Sequence, residues 1–224
     1  MKIGTVGVLF AMVSVAASCG VPSDPARIEH ARVDMPEAHR LVRDAIFGAT
    51  PGMNPDVVTP VRERTPDGCF ERLGFQVFEV TAGVRDGATF RVDRSGASLL
   101  FGGPGGFGLH TAVVVDLDGD GREELVYAWS WGSGIHRTDV GCLRRDAGGA
   151  WQQLGADVSY AGNLVLERAA DGGLDAFTAE FHDDPAAGPR GARLGRVRLA
   201  DGVLEVELDR LPEEIDRRVW RHGR

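Results

Sequence analysis

The chain has 224 residues and a formal net charge of −8, with 25 Lys and Arg against 33 Asp and Glu. Less a leader, that length suits one domain with a sizeable core, or two small ones. The acidic balance argues against nucleic acid as a partner, because phosphate backbones call for a basic surface.

Met1 to Ser18 carries one basic residue, an apolar run from Ile3 to Ala17 and small residues at its end. This is the pattern of a signal peptide, and it is short for a membrane span. Ala16-Ala17-Ser18-Cys19 resembles a bacterial lipobox. The resemblance implies cleavage before Cys19, a diacylglycerol on its sulfur, and a protein exported and lipid-anchored to the cell envelope, with the membrane as a partner. The alternative is an ordinary signal peptide with an incidental cysteine. With Cys19 lipidated, Cys69 and Cys142 remain. In an oxidising compartment they form either a disulfide or two separate buried thiols.

Residues 19–34 read as a tether, with Pro22 and Pro25 and few large apolar side chains. The remainder, 35–222, reads as a single β-rich domain that opens with a helix over 35–47. Asp34 is the expected N-cap, with Glu37 three residues on. Ala38, Leu41, Val42, Ala45 and Ile46 follow at helical spacing, and Gly48 and Pro51 end the run. Residues 48–68 carry four prolines and read as an irregular connection.

From Cys69 onward, short apolar runs alternate with Gly and Asp turns. The predicted strands are Phe70–Thr81, Thr89–Arg94, Ser98–Phe101, Leu109–Val115, Leu125–Trp131, Ile135–Arg144, Trp151–Leu154, Asn163–Arg168, Leu174–His182, Arg193–Leu199 and Val203–Leu208. Ala200-Asp201-Gly202 predicts a tight hairpin for the last pair. A short closing helix is predicted over Leu211–His222, with Pro212 near its start. The expected fold is mainly β, either an antiparallel sandwich or barrel-like form or a small partial propeller, with one N-terminal helix.

The chemistry-bearing stretch is Asp116-Leu117-Asp118-Gly119-Asp120-Gly121-Arg122-Glu123-Glu124. Asp116, Asp118 and Asp120 stand at loop positions one, three and five, where alternate residues turn their oxygens to one centre. Gly121 stands at the sharp turn, Arg122 offers its carbonyl and Glu124 a fourth carboxylate. Hard oxygen ligands of this number suit calcium. An EF-hand would need Glu at position twelve, which is Tyr127, and the flanks are strand-like. These residues resemble one calcium loop of the FG-GAP/VCBS repeat class, found in integrin-type propellers and exported bacterial proteins, over Val113 to Val126. By that resemblance Asp116, Asp118, Asp120 and Glu124 are side-chain ligands, Arg122 gives a carbonyl, and the Ca2+ is structural. The loop occurs once, where the class carries it several times.

Two further stretches stand out. Gly103, Gly105 and Gly108 spell G-x-G-x-x-G, but the strand-like Leu109–Val113 follows where a dinucleotide site needs a helix, so that reading is rejected. Tyr127, Trp129 and Trp131 share one strand face by period two, followed by Ser133, His136, Arg137 and Asp139. They read either as a ligand groove, suited to carbohydrate or a protein side chain, or as a core face with a hairpin beyond it. The function expected is a non-enzymatic binding or structural module. A calcium-dependent hydrolase using Ser133, His136 and Asp139 is the alternative.

Overall fold

A computed structural model describes residues 31–48, 60–83, 85–102, 105–132, 136–179, 190–209 and 219–221. The leader, Cys19, most of the tether and Ser133 lie outside the described residues. The first element is α1 (Met35–Phe47), with the bounds the capping pattern predicts. The Asp34 carboxylate accepts from the Glu37 N–H at 2.9 Å, and Gly48 ends the helix at a φ of 60°. Glu37 does not return to the cap: its carboxylate is taken by Arg40. Ala38, Leu41 and Val42 form the buried stripe, while Ala45 stays exposed.

The described strands build three antiparallel meanders. The first joins β1 (Val61–Glu63), β2 (Gln76–Val80), β3 (Thr89–Asp93) and β4 (Gly96–Phe101) in that order. The second joins β5 (Gly108–Val115), β6 (Glu124–Trp131), β7 (Arg137–Arg145) and β8 (Trp151–Tyr160). The third joins β9 (Asn163–Arg168), β10 (Leu174–Ala179), β11 (Arg190–Ala200) and β12 (Val203–Leu208). Finally β13 (Val219–Arg221) adds to β8. Asp201 and Gly202, both at positive φ, close the predicted β11–β12 hairpin between Ala200 and Val203.

The three sheets stack face to face with their first strands along one edge. Arg64, just past β1, donates to the Leu109 carbonyl on β5 at 2.8 Å, and the Leu166 N–H on β9 donates to the Thr111 hydroxyl on β5 at 2.8 Å. At the other edge Gln153 on β8 donates to the Leu100 carbonyl on β4, and β8 packs on β12. The described strands close no barrel.

Three cores follow from the layering. Leu41 and Val42 meet Phe78, Phe90 and Val92 between α1 and the first sheet. Phe75, Val77 and Phe101 meet Leu109, Leu125 and Tyr127 between the first and second sheets. Val126, Ala128, Val140 and Cys142 meet Leu164, Leu174 and Leu204 between the second and third. The middle sheet is therefore covered on both faces, which is why β6 reads as a nearly continuous apolar run. Burying each of its large side chains contributes about 1.5–3 kcal/mol. The outer face of the third sheet is charged instead. Arg196 stands opposite Glu207 in register and Arg198 opposite Glu205, Arg198 pairs with Glu207 at 2.6 Å, and Arg193 and Arg196 both reach Asp175.

Five expectations are corrected. Residues 61–63, inside the expected irregular connection, form strand β1 paired antiparallel with β2. Phe70–Thr81 is not one strand: Cys69–Leu73 forms the one-turn helix α2 between Gly68 and Gly74, both left-handed, and pairing starts at Gln76. Cys69 and Leu73, spaced i and i+4, are the buried side of that turn. Strand β8 continues past Leu154 to Tyr160, because Gly155 pairs opposite Gly141 and lets the ladder run on. The end of the predicted closing helix is strand, with Val219 opposite Tyr160; residues 210–218 lie outside the described residues. Cys69 and Cys142 are free, so the disulfide alternative gives way to two buried thiols. The reason is the pleat: Cys142 faces the third sheet and Cys69 the core on the other side of the second.

Candidate metal centre

The loop joining β5 to β6 carries the acidic stretch. Leu117 packs inward against the core between the second and third sheets, which leaves Asp116 and Asp118 to turn outward. One carboxylate oxygen from each of Asp116, Asp118 and Asp120 lies within 4.8 Å of the others, so the three form a group able to hold a metal ion. Gly119 and Gly121 sit at φ of 76° and 85°, which lets the loop fold back over Asp116. Asp116 Oδ1 accepts from the Gly119 and Asp120 N–H groups at 2.8 and 3.1 Å, and Oδ2 from Gly121 at 2.9 Å. These amides fix the first carboxylate in place without supplying a full positive charge.

Two guanidinium groups approach the other aspartates. Arg122 grips Asp120 through Nε at 2.9 Å and Nη2 at 2.5 Å and holds that carboxyl below the usual carboxylate range. Arg144, on β7, reaches Asp118 Oδ2 at 3.4 Å. Glu124, the fourth expected ligand, is 2 % exposed and outside the group of three. Its Oε2 accepts from the Leu117 N–H at 2.8 Å. Burial pushes its carboxyl up to about 7, with the charges of Asp118 and Asp116 adding to the rise. The structure therefore assembles three of the four predicted carboxylates and sets the fourth just behind them.

The matching β9–β10 turn of the third sheet provides an internal contrast. Its Asp171 and the following Asp175 are ion-paired to Arg196 at 2.9 and 2.6 Å, and Arg193 also holds Asp175. There arginine neutralises the acids. In the β5–β6 loop Arg122 and Arg144 likewise pair with Asp120 and Asp118, and Asp116, of the three, is met by amides alone.

Sequence reasoning missed Arg144 and the tie between Arg72 of α2 and Glu123. Arg144 could have been found from strand alternation, since it shares a face with Cys142, two residues back. The Arg72 tie depends on a helix that the residues read as strand.

The aromatic row divides. Tyr127 is core, 1 % exposed, with its hydroxyl accepting from Gln153 at 2.9 Å, so it is not part of a groove. Trp129 is half-buried and stacks on Phe101 with ring centres 5.0 Å apart. Trp131 is half-buried; its Nε1 donates to Asp139 at 2.7 Å and the Arg137 guanidinium lies 5.4 Å from its ring. His136 packs on the exposed Phe107 ring at 4.4 Å. Trp131 thus gives Asp139 and Arg137 a structural employment. Compared with family models, curated proteins and solved structures, the chain gives no significant match to any.

Proposed function

We propose that the protein is an envelope-anchored lipoprotein whose β domain is a non-enzymatic binding or structural module, stapled by one calcium ion at the β5–β6 loop. The observation that carries this reading is the convergence of Asp116, Asp118 and Asp120 within 4.8 Å. Carboxylates gathered this near repel one another; Arg122 and Arg144 offset the charges of Asp120 and Asp118, and that of Asp116 is met by amides alone. A divalent ion reverses the sign of the balance. A set of hard carboxylate and carbonyl oxygens in a flexible loop suits calcium. The ion would hold the angle between β5 and β6, with Arg122 offering its carbonyl. The lipobox at Cys19 supports the anchor.

Two experiments test this. Metal-stripped protein should melt at a lower temperature than protein with millimolar calcium, with magnesium restoring less. At a calcium concentration of 100 times Kd the gain is about 2.7 kcal/mol. An unchanged midpoint counts against the ion. Cys19→Ser should move the protein from the membrane fraction to the soluble fraction; retention in membranes counts against the anchor.

A further inference from the structure

A second charged site lies where the first and second sheets meet at their outer edge. Trp151 opens β8, and its indole stands edge-on to Phe75 with ring centres 5.1 Å apart and planes at 82°. Two arginines share that indole. The Arg145 guanidinium carbon is 4.1 Å from the ring centre and that of Arg91 is 5.3 Å away, with Arg91 also 5.9 Å from Phe75. The fold enforces this meeting: Arg145 is the cross-strand partner of Trp151, and Arg91 pairs with Val77 and Ser98 inside the first sheet.

The hydrogen bonds these guanidinium groups make go to neutral oxygens. Arg145 donates to the Gly149 carbonyl at 2.8 Å and Arg91 to the Ser98 hydroxyl at 3.4 Å. Asp93, the carboxylate nearest along β3, accepts from the Ser95 amide at 2.8 Å and from the Ser95 hydroxyl. Burial holds the Arg91 guanidinium below its usual pKa; Asp93 opposes this and the like charge of Arg145 adds to it. Arg193 and Arg196, by contrast, pair with the Asp175 carboxylate. At Trp151 the fold brings two positive charges together on an aromatic ring.

We infer that Arg91, Arg145 and Trp151 form a binding site for the phosphate group of a ligand. A guanidinium stacked on a ring keeps its N–H edge free, and that edge matches an oxoanion in a bidentate fork. The indole and Phe75 hold the forks in orientation, and the Ser98 hydroxyl adds a donor beside Arg91. The phosphate would end the repulsion between the two cations.

The test uses the calcium-loaded protein and glycerol phosphate as probe, with sodium chloride at matched ionic strength as control. Binding is read from the indole N–H resonance assigned to Trp151 by its loss in Trp151→Phe. The expected result is a saturable shift with a millimolar dissociation constant, weakened tenfold or more in Arg91→Gln and in Arg145→Gln while their melting curves stay two-state. Vesicles of phosphatidylglycerol and of phosphatidylcholine separate the sources of phosphate. Arginine-dependent binding to the first alone assigns a lipid headgroup, and binding of glycerol phosphate without vesicle binding assigns a soluble or polymer-borne phosphate. A chloride response equal to that of glycerol phosphate overturns the site, as does a shift that survives in the folded double variant.

Discussion

His110 shows how one extra residue in a strand creates a pH-dependent contact. The β5–β6 register slips between Leu109 and Thr111, so His110 and Thr111 both turn toward β9. His110 Nδ1 lies 3.0 Å from the Leu164 carbonyl, and since a carbonyl only accepts, Nδ1 carries the proton. Burial pushes the imidazole down to about 4, with the Leu164 bond opposing and the charges of Arg64 and His136 adding to the fall. The unfolded chain takes up that proton near its ordinary value of 6.5. The contribution is therefore complete above pH 6.5 and is lost as pH falls through 6.5 toward 4. Between pH 7 and pH 5 the loss is about 2 kcal/mol. The buried Glu124, raised to about 7, shifts stability in the opposite direction over the same window, so the His110 contribution is read in urea unfolding as the difference in pH slope between the parent protein and His110→Gln. An unchanged slope in the variant would assign the loss to other groups.

At the scale of elements, legibility follows range. Helix α1 was readable because its cap, stripe and terminator are local, and Asp34→Ala should lower stability by about 1 kcal/mol in thermal melts. A midpoint unmoved by that change would mean the cap bond contributes nothing. The acidic loop was readable for the same reason: its three gathered carboxylates lie within five residues of chain. Glu124 was less so, because its burial is set by packing of the second sheet and not by the spacing of the loop. The short helix α2 was misread because its apolar residues continue into β2 without a break in composition. The aromatic row was readable as one face, but its division into core and rim depended on Phe101 arriving from β4 against Tyr127 and Trp129. The separation of the two thiols depended on which sheet lies between them, which local pattern does not encode.

Across the whole molecule, the second sheet is the common wall of two cores, and the acidic loop closes one end of it. Salt bridges run outward from that loop to α2 through Glu123 and Arg72 and to β7 through Asp118 and Arg144. Loosening the loop would thus act on both cores. The thiols sit on either side of the same wall, and burial raises both to about 12. Reductant should leave the melting midpoint unchanged, and thiol reagents should react with Cys69 and Cys142 only as the protein unfolds. A reductant-sensitive midpoint would contradict the layering. The central claim is that the Asp116, Asp118 and Asp120 carboxylates gather around calcium, and calorimetric titration of calcium into metal-stripped protein tests it most directly. The account predicts one ion bound per chain, with Asp118→Asn weakening the binding at least tenfold; absence of binding, or equal binding by Asp118→Asn, would contradict it.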